Sequence, residues 1–202
     1  SSLPNNERIE SVTYFDGLGR EKQKIDHKHG GQEQDLMTPF VYDDYGRQEQ
    51  EYLPYVRNSN SLNYDQSLVP DSNGNITQID NFYTTKYPAD INLSSPNPFS
   101  QNVYESSPLN RLKEQAAPGS DWSIANGHTM KLDYDSNNAE EVIYFDVVFP
   151  LNNSVQPRLE LTNTFYSAGE LIKTTIKDEN WTSSQGKDKT TEEFRNKQDQ
   201  IV

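Results

Sequence analysis

The 202-residue sequence contains no cysteine, which excludes disulfides and thiolate metal sites and leaves the redox compartment open. It is also poor in bulk hydrophobics. Only 32% of residues are apolar, against roughly 45 to 50% in ordinary globular chains on a count that includes glycine. No run approaches the roughly 18 apolar residues of a membrane-spanning helix, so no membrane insertion is expected. The opening SSLPNNERIE does not have the pattern of a signal peptide; if the protein is exported, this is expected to be a processed or internal piece. Cations are scarce as well: 18 Lys and Arg stand against 31 Asp and Glu, a net charge of -13. That balance argues against nucleic acid, whose phosphates need a basic surface, and against anionic membranes.

What the chain has instead is aromatics, with 12 Tyr, 8 Phe and 2 Trp, residues suited to strands and half-buried sheet faces. Two stretches organise the reading. YFDGLGREKQ (Tyr14 to Gln23) returns as YDDYGRQEQ (Tyr42 to Gln50), and aligning Phe15 with Tyr42 superimposes an aromatic, an Asp, two variable residues, a Gly and an Arg. This is the pattern of a hairpin. A strand ends at the aromatic, Asp and Gly make the turn, and Arg opens the return strand. The turn residues are therefore Phe15, Asp16, Gly19 and Arg20 in the first unit and Tyr42, Asp43, Gly46 and Arg47 in the second. A third, two residues longer, comprises Tyr104, Glu105, Asn110 and Arg111.

Between these turns the pattern is uneven. DHKHGGQEQD (Asp26 to Asp35) reads as a polar link, too polar for a core element. Pro39 to Tyr42 and Arg47 to Tyr52 read as the strands of the second hairpin. Residues 57–100 are so rich in Asn, Ser and Pro that they read as a long loop or insertion, with a short helix or strand around Ile79 to Tyr87. AAPGSDW is another turn, at Pro118 and Gly119. The last third is the clearest β region: His128 to Asp135, Glu141 to Phe149, Arg158 to Tyr166 and Leu171 to Trp181, with Thr190 to Val202 opening one more unit.

The turn-leading aromatics Phe15, Tyr42, Tyr104, Tyr134, Tyr166 and Phe194 are separated by 27, 62, 30, 32 and 28 residues; the second gap is about two periods, and such periods indicate arrays of one supersecondary unit. The expected fold is all-β: antiparallel hairpin repeats forming a wide curved sheet with a long irregular insertion. Residues 1–56 hold the first two hairpins, 57–100 the insertion, and 101–202 further hairpins. A chain stopping on Ile201 and Val202 in a strand is expected to continue, and to be more soluble when extended by one or two repeats.

YFDGLGR and YDDYGR resemble the Tyr-Asp repeats of rearrangement-hotspot (RHS or YD-repeat) proteins. Asn97 to Trp122, Asn126 to Tyr134 and Lys177 to Val202 resemble the uncharacterised domain that precedes the RHS repeats in large secreted proteins of Bacteroidota. The resemblance implies a shell-like spiral of antiparallel sheet that encloses a C-terminal toxin or effector. It further implies a secreted or cell-surface location, export by the type IX route, and as partners the rest of the same polypeptide, its toxin cargo and type IX secretion components. It offers no catalytic residues in this region.

Other candidate sites have plainer readings beside them. His27 and His29 alternate near Asp26, Glu33 and Asp35, as zinc ligands could, but in a Gly-rich stretch that reads as a solvated loop. DSNGN (Asp71 to Asn75) and DYDSNN (Asp133 to Asn138) have the residue types of calcium loops, yet neither has Gly at the sixth position and Glu at the twelfth; Asx turns suit them better. The sequons at Asn75, Asn92, Asn152 and Asn180 number about what chance supplies at this content of Asn, Ser and Thr. Adjacent acids such as Asp43 with Asp44 or Glu192 with Glu193 cannot act as the paired carboxylates of a glycosidase, since neighbours on a strand point to opposite faces. No nucleophile motif or phosphate loop occurs. No enzyme, cofactor or metal is expected; the function expected is structural. The alternative is a surface-exposed glycan- or protein-binding module using Tyr52, Tyr55, Trp122 or Trp181 as stacking platforms.

Overall fold

The computed structural model describes residues 10–57, 61–72, 74–89, 95–149 and 156–202. The chain is all-β, with antiparallel sheets and, among the described residues, one α-helix. It divides into two compact units, Ser1–Thr129 and Met130–Val202.

In the first unit, β1 (Ser11–Phe15) pairs with β2 (Glu21–Asp26), β2 with β3 (Asp35–Pro39), and β3 with β5 (Tyr55–Arg57). Alternation sets the inward face: Gln23 and Ile25 of β2, Asp35 and Met37 of β3 and Tyr55 of β5 are buried, while their neighbours are not. A second sheet in this unit pairs β4 (Gln50–Tyr52) with β6 (Phe99–Tyr104), and β6 with β7 (Leu112–Ala116). The second hairpin is thus shorter than its pattern. Phe40 bridges Glu51 alone, and Tyr42 lies outside any strand.

The polar link is corrected by the structure. Its last residue, Asp35, begins β3 and is fully buried. Burial is tolerated because His27 Nδ1 lies 2.8 Å and the Lys28 N–H 3.2 Å from Asp35 Oδ1, with Arg57 Nη2 3.7 Å from Oδ2.

Segment 57–100 supplies much of the core. Leu68, Ile76 and Ile79 join Ile25, Met37, Tyr52, Tyr55 and Phe99 in one buried cluster. The element near Ile79 is a helix, α1 (Thr77–Lys86), in which Ile79, Phe82 and Tyr83 recur at helical spacing toward that cluster. Asp80 in its first turn and Lys86 in its last suit the helix dipole. Hydroxyls tie the surrounding irregular backbone down: Tyr14 donates to the Leu62 carbonyl at 2.7 Å, Tyr83 to that of Pro54 at 2.6 Å, and Tyr52 to that of Gly74.

In the second unit, β8 (Met130–Ser136) pairs with β11 (Ile172–Lys177), and β11 with β12 (Thr190–Arg195). β9 (Ile143–Val148) and β10 (Arg158–Phe165) form a separate ribbon. Among the described residues of this unit, Leu171 is the one buried hydrophobic side chain. In its place stands an ion cluster, Lys173 Nζ lying 2.6 Å from Glu141 and 2.9 Å from Glu192. Desolvation pulls the Lys173 ammonium down, but its hydrogen bonds to Glu141 and Glu192 outweigh this and raise it.

Candidate functional site

The repeated turns are the constellation that the fold repeats and aligns. In the first, the Asp16 N–H donates to the Arg20 carbonyl at 2.8 Å and the Gly19 N–H to the Asp16 carbonyl at 3.1 Å. In the second, Asp43 to Arg47 repeats both bonds at 2.9 Å. This is a three-residue hairpin loop whose last loop residue must be left-handed, and Gly19 (φ 78°) and Gly46 (φ 80°) are. The shifted register between Tyr14 and Phe15 is the bulge that such a loop leaves.

The acid caps the loop in both. Asp16 Oδ1 accepts the N–H groups of Leu18 and Arg20 at 2.8 and 2.9 Å, and Oδ2 accepts Arg20 Nε at 2.7 Å. Asp43 repeats the set with Tyr45, Arg47 and Arg47 Nε at 2.9, 2.8 and 2.7 Å. Hydrogen bonds from the Arg20 and Leu18 backbone and the Arg20 side chain hold the Asp16 carboxyl below its ordinary value. Burial pushes Asp43 up, but the bonds from Arg47 and Tyr45 leave it lowered. The third turn spans two more residues and uses the longer acid. Glu105 meets the Arg111 guanidinium through both oxygens at 2.9 Å, and with help from Ser107 this holds its carboxyl down at about 2. Asn110 (φ 51°) takes the glycine's place.

The first two arginines also reach the next turn. The Arg20 guanidinium lies 4.7 Å from the centre of the Tyr42 ring, and that of Arg47 lies 4.7 Å from Tyr104. Arg47 Nη1 donates to Asn110 Oδ1 at 2.8 Å. A Cβ on Gly46 would lie 3.3 Å from Arg20 Nη1. The arginine of one turn therefore sits over the aromatic of the following turn and against its left-handed residue. Phe15 of the first turn is 59% exposed.

A family model described as Domain of unknown function (DUF6443) matches residues 1–136. The chain belongs to that family. No curated protein matches it. The DUF6443 match takes in all three acid and arginine turns and the whole relay between them.

Three further turns among the described residues share this backbone form without the sequence signature; one, Gly30 to Gln34, closes at 2.8 and 2.9 Å with Glu33 (φ 58°) left-handed and no acid as its cap. Asp71 to Asn75 has the same backbone bonds at 2.9 and 3.0 Å, with Gly74 left-handed and the Asn75 N–H on Asp71 Oδ1. It lies inside the double-length gap between Tyr42 and Tyr104, without a preceding aromatic or a following arginine. Asn196 to Gln200 repeats the bonds at 2.9 and 3.0 Å, with Asn196 as the cap and Asp199 (φ 62°) left-handed.

The other candidates take structural places. His27 is engaged by Asp35, and the described residues contain no group of three or more His, Asp or Glu arranged to hold a metal. The Asp133 carboxylate pairs with Lys177. The Asn75 and Asn180 N–H groups are bonded to Asp71 and Asp178 within turns, while Asn92 and Asn152 lie outside the described residues. Glu192 pairs with Lys173 and Lys187, and Glu193 with Arg195, as opposite strand faces require. Tyr52 and Tyr55 are buried core residues, with Tyr52 packed 5.1 Å from the Phe99 ring, so neither is an open stacking platform. Trp122 is 41% exposed against His128, and Trp181 donates to the Gly186 carbonyl beneath Lys177.

Proposed function

We propose that this DUF6443 chain is a structural segment of a large exported RHS/YD-repeat protein, in which successive hairpin turns build a β-sheet wall that encloses a C-terminal toxin or effector. The observation that carries the reading is the relay of Arg20 onto Tyr42 and Arg47 onto Tyr104. A turn that only reverses the chain needs the Asp and the Gly; an arginine placed on the next turn fixes the spacing of neighbours, which is the requirement of an array. The second unit, with one buried hydrophobic among its described residues, is what a segment made to be covered by neighbouring repeats would have. The mechanism is enclosure, the partners are the remaining polypeptide, its cargo and type IX secretion components, and the location is the cell surface or exterior.

The test is limited proteolysis of the full-length polypeptide. Sequence downstream of the repeats should be protected in the intact protein and cleaved once Arg20→Met and Arg47→Met are combined. Equal cleavage before and after, or confinement of the protein to the cytosol on fractionation, overturns the reading.

A further inference from the structure

The first unit contains a cleft of about 650 Å³ between β5 and one face of α1, to which the three acid and arginine turns make no contribution. Its size falls in the range of small-ligand sites. The helix presents Gln78, Asn81, Phe82 and Thr85 to it, positions i, i+3, i+4 and i+7 of a single face. Phe82 packs edge-on against Tyr55 with ring centres 6.0 Å apart, giving an apolar floor. At the end of the helix Tyr87 stands 47% exposed, stacked on Tyr83 at 5.7 Å and 27°. Tyr83 is itself anchored to the Pro54 carbonyl, so the open ring face is held in place.

The polar lining is mostly amide, with Arg57, Asp65, Thr85 and Lys86 beside the amides. Gln78 and Asn81 make no side-chain hydrogen bond among the described residues and each offers both a donor and an acceptor. Across the cleft Gln32 and Gln34 are bonded to each other at 3.2 Å. The Arg57 charge is already matched, with Asp35 and Asp65 oxygens each 3.7 Å away. A cleft with two unused amides, a fixed ring face, its arginine neutralised and Lys86 as a lone further cation is a poor match for a phosphate or a purely apolar ligand. It suits a ring with an apolar face and hydroxyls around its edge.

We propose that this cleft binds a neutral saccharide, with Tyr87 stacking on a sugar face and Gln78 and Asn81 reading its hydroxyls. This goes beyond the scaffold role and does not depend on it. The test is a calorimetric and NMR titration of the folded chain with neutral hexose and N-acetylhexosamine oligosaccharides. A uronate oligosaccharide and a Lys86→Ala variant serve as a second arm. Binding of a neutral member at about 1 mM or tighter is expected. Asn81→Trp, an exposed position where the indole fills the cleft, should weaken it at least about tenfold. Gln78→Ala should weaken it less, and Trp122→Ala not at all. Silence of every neutral oligosaccharide at about 10 mM overturns the proposal, as does binding that survives Asn81→Trp in a protein with an unchanged melt. Binding confined to the uronate and lost in Lys86→Ala overturns the neutral assignment.

Discussion

Replacing Arg47 by Met keeps an unbranched stem and removes the guanidinium that joins the second turn to the third. Its side chain is 21% exposed, and it makes a 2.7 Å bond to Asp43, a 2.8 Å bond to Asn110 and a stack on Tyr104 at 4.7 Å. The bond to Asp43 contributes about 1 kcal/mol after allowance for solvent, that to Asn110 about 0.5, and the stack on Tyr104 about 0.5 to 1. Methionine recovers part of the stem packing, so a net loss of about 2 kcal/mol is expected. Arg47→Lys keeps the charge without the planar fork and should lose about 1 kcal/mol. The assay is urea unfolding in a Trp181→Phe background, where Trp122 alone reports on the first unit. A double-mutant cycle with Tyr104→Leu should return a coupling of about 0.5 to 1 kcal/mol. A loss under about 0.5 kcal/mol for Arg47→Met, or no coupling to Tyr104, would show that the relay is a geometric coincidence.

Three further outcomes are expected. Gly46→Ala forces a Cβ into a left-handed residue 3.3 Å from Arg20 Nη1, and should destabilise the first unit by about 1 to 2 kcal/mol in the same urea assay. Asp80 sits with one buried carboxylate oxygen unbonded, and burial, then the Asp71 charge, pushes its pKa from 3.8 up to about 6. The folded state holds that proton more tightly than the unfolded chain does, so stability from this group is present below pH 4 and lost as pH rises through about 6. Asp80→Asn should accordingly gain about 1 kcal/mol at neutral pH, discounted for partial exposure, and nothing at pH 4. Lys173→Met leaves Glu141 and Glu192, with side chains only 14% and 21% exposed, to the exposed Lys187 alone, and should cost about 1 to 2 kcal/mol in the transition reported by Trp181.

Strands with regular alternation were legible in the sequence, and the exceptions have specific physical causes. β8 and β10 announce themselves because each alternates over seven or eight residues. β3 does not, since it begins at a buried Asp whose cation, Arg57, lies on another strand; nothing local marks Asp35 as inward. Leu68 and Ile76 belong to no periodic element, so their place in the core follows from tertiary packing alone. The acid, the Gly or Asn, and the Arg of each turn were legible as a turn. The reach of the arginine to the next turn was not, because it joins residues 22 and 57 apart in sequence.

The turn at Asp71 shows which letters of the motif do which work. It keeps the acid and the left-handed Gly74 and closes with the same two backbone bonds, so acid and glycine suffice to make the turn. It lacks the aromatic in front and the arginine behind. Asn196 to Gln200 makes the turn with an amide cap, and without an arginine at its last position. The aromatic and the arginine are therefore dispensable for reversing the chain, and they occur together at Phe15 to Arg20, Tyr42 to Arg47 and Tyr104 to Arg111. Where the acid stands farther from its arginine, Glu replaces Asp and keeps the contact through both oxygens. Selection on loop closure alone has no reason to maintain that reach, because a backbone bond already closes each loop. Keeping the guanidinium in a fixed orientation over the following unit is such a reason, and it predicts an order among substitutions. In the double-mutant cycle above, replacing Tyr104 should leave its own turn closed, with the Glu105 and Arg111 hydrogen bonds still seen as a Glu105 carboxyl titrating near pH 2 by NMR, while the coupling to Arg47 is lost. A Glu105 pKa that returns to its ordinary value in Tyr104→Leu would mean that the aromatic builds its own turn, and that the division between turn-making and turn-joining residues is wrong.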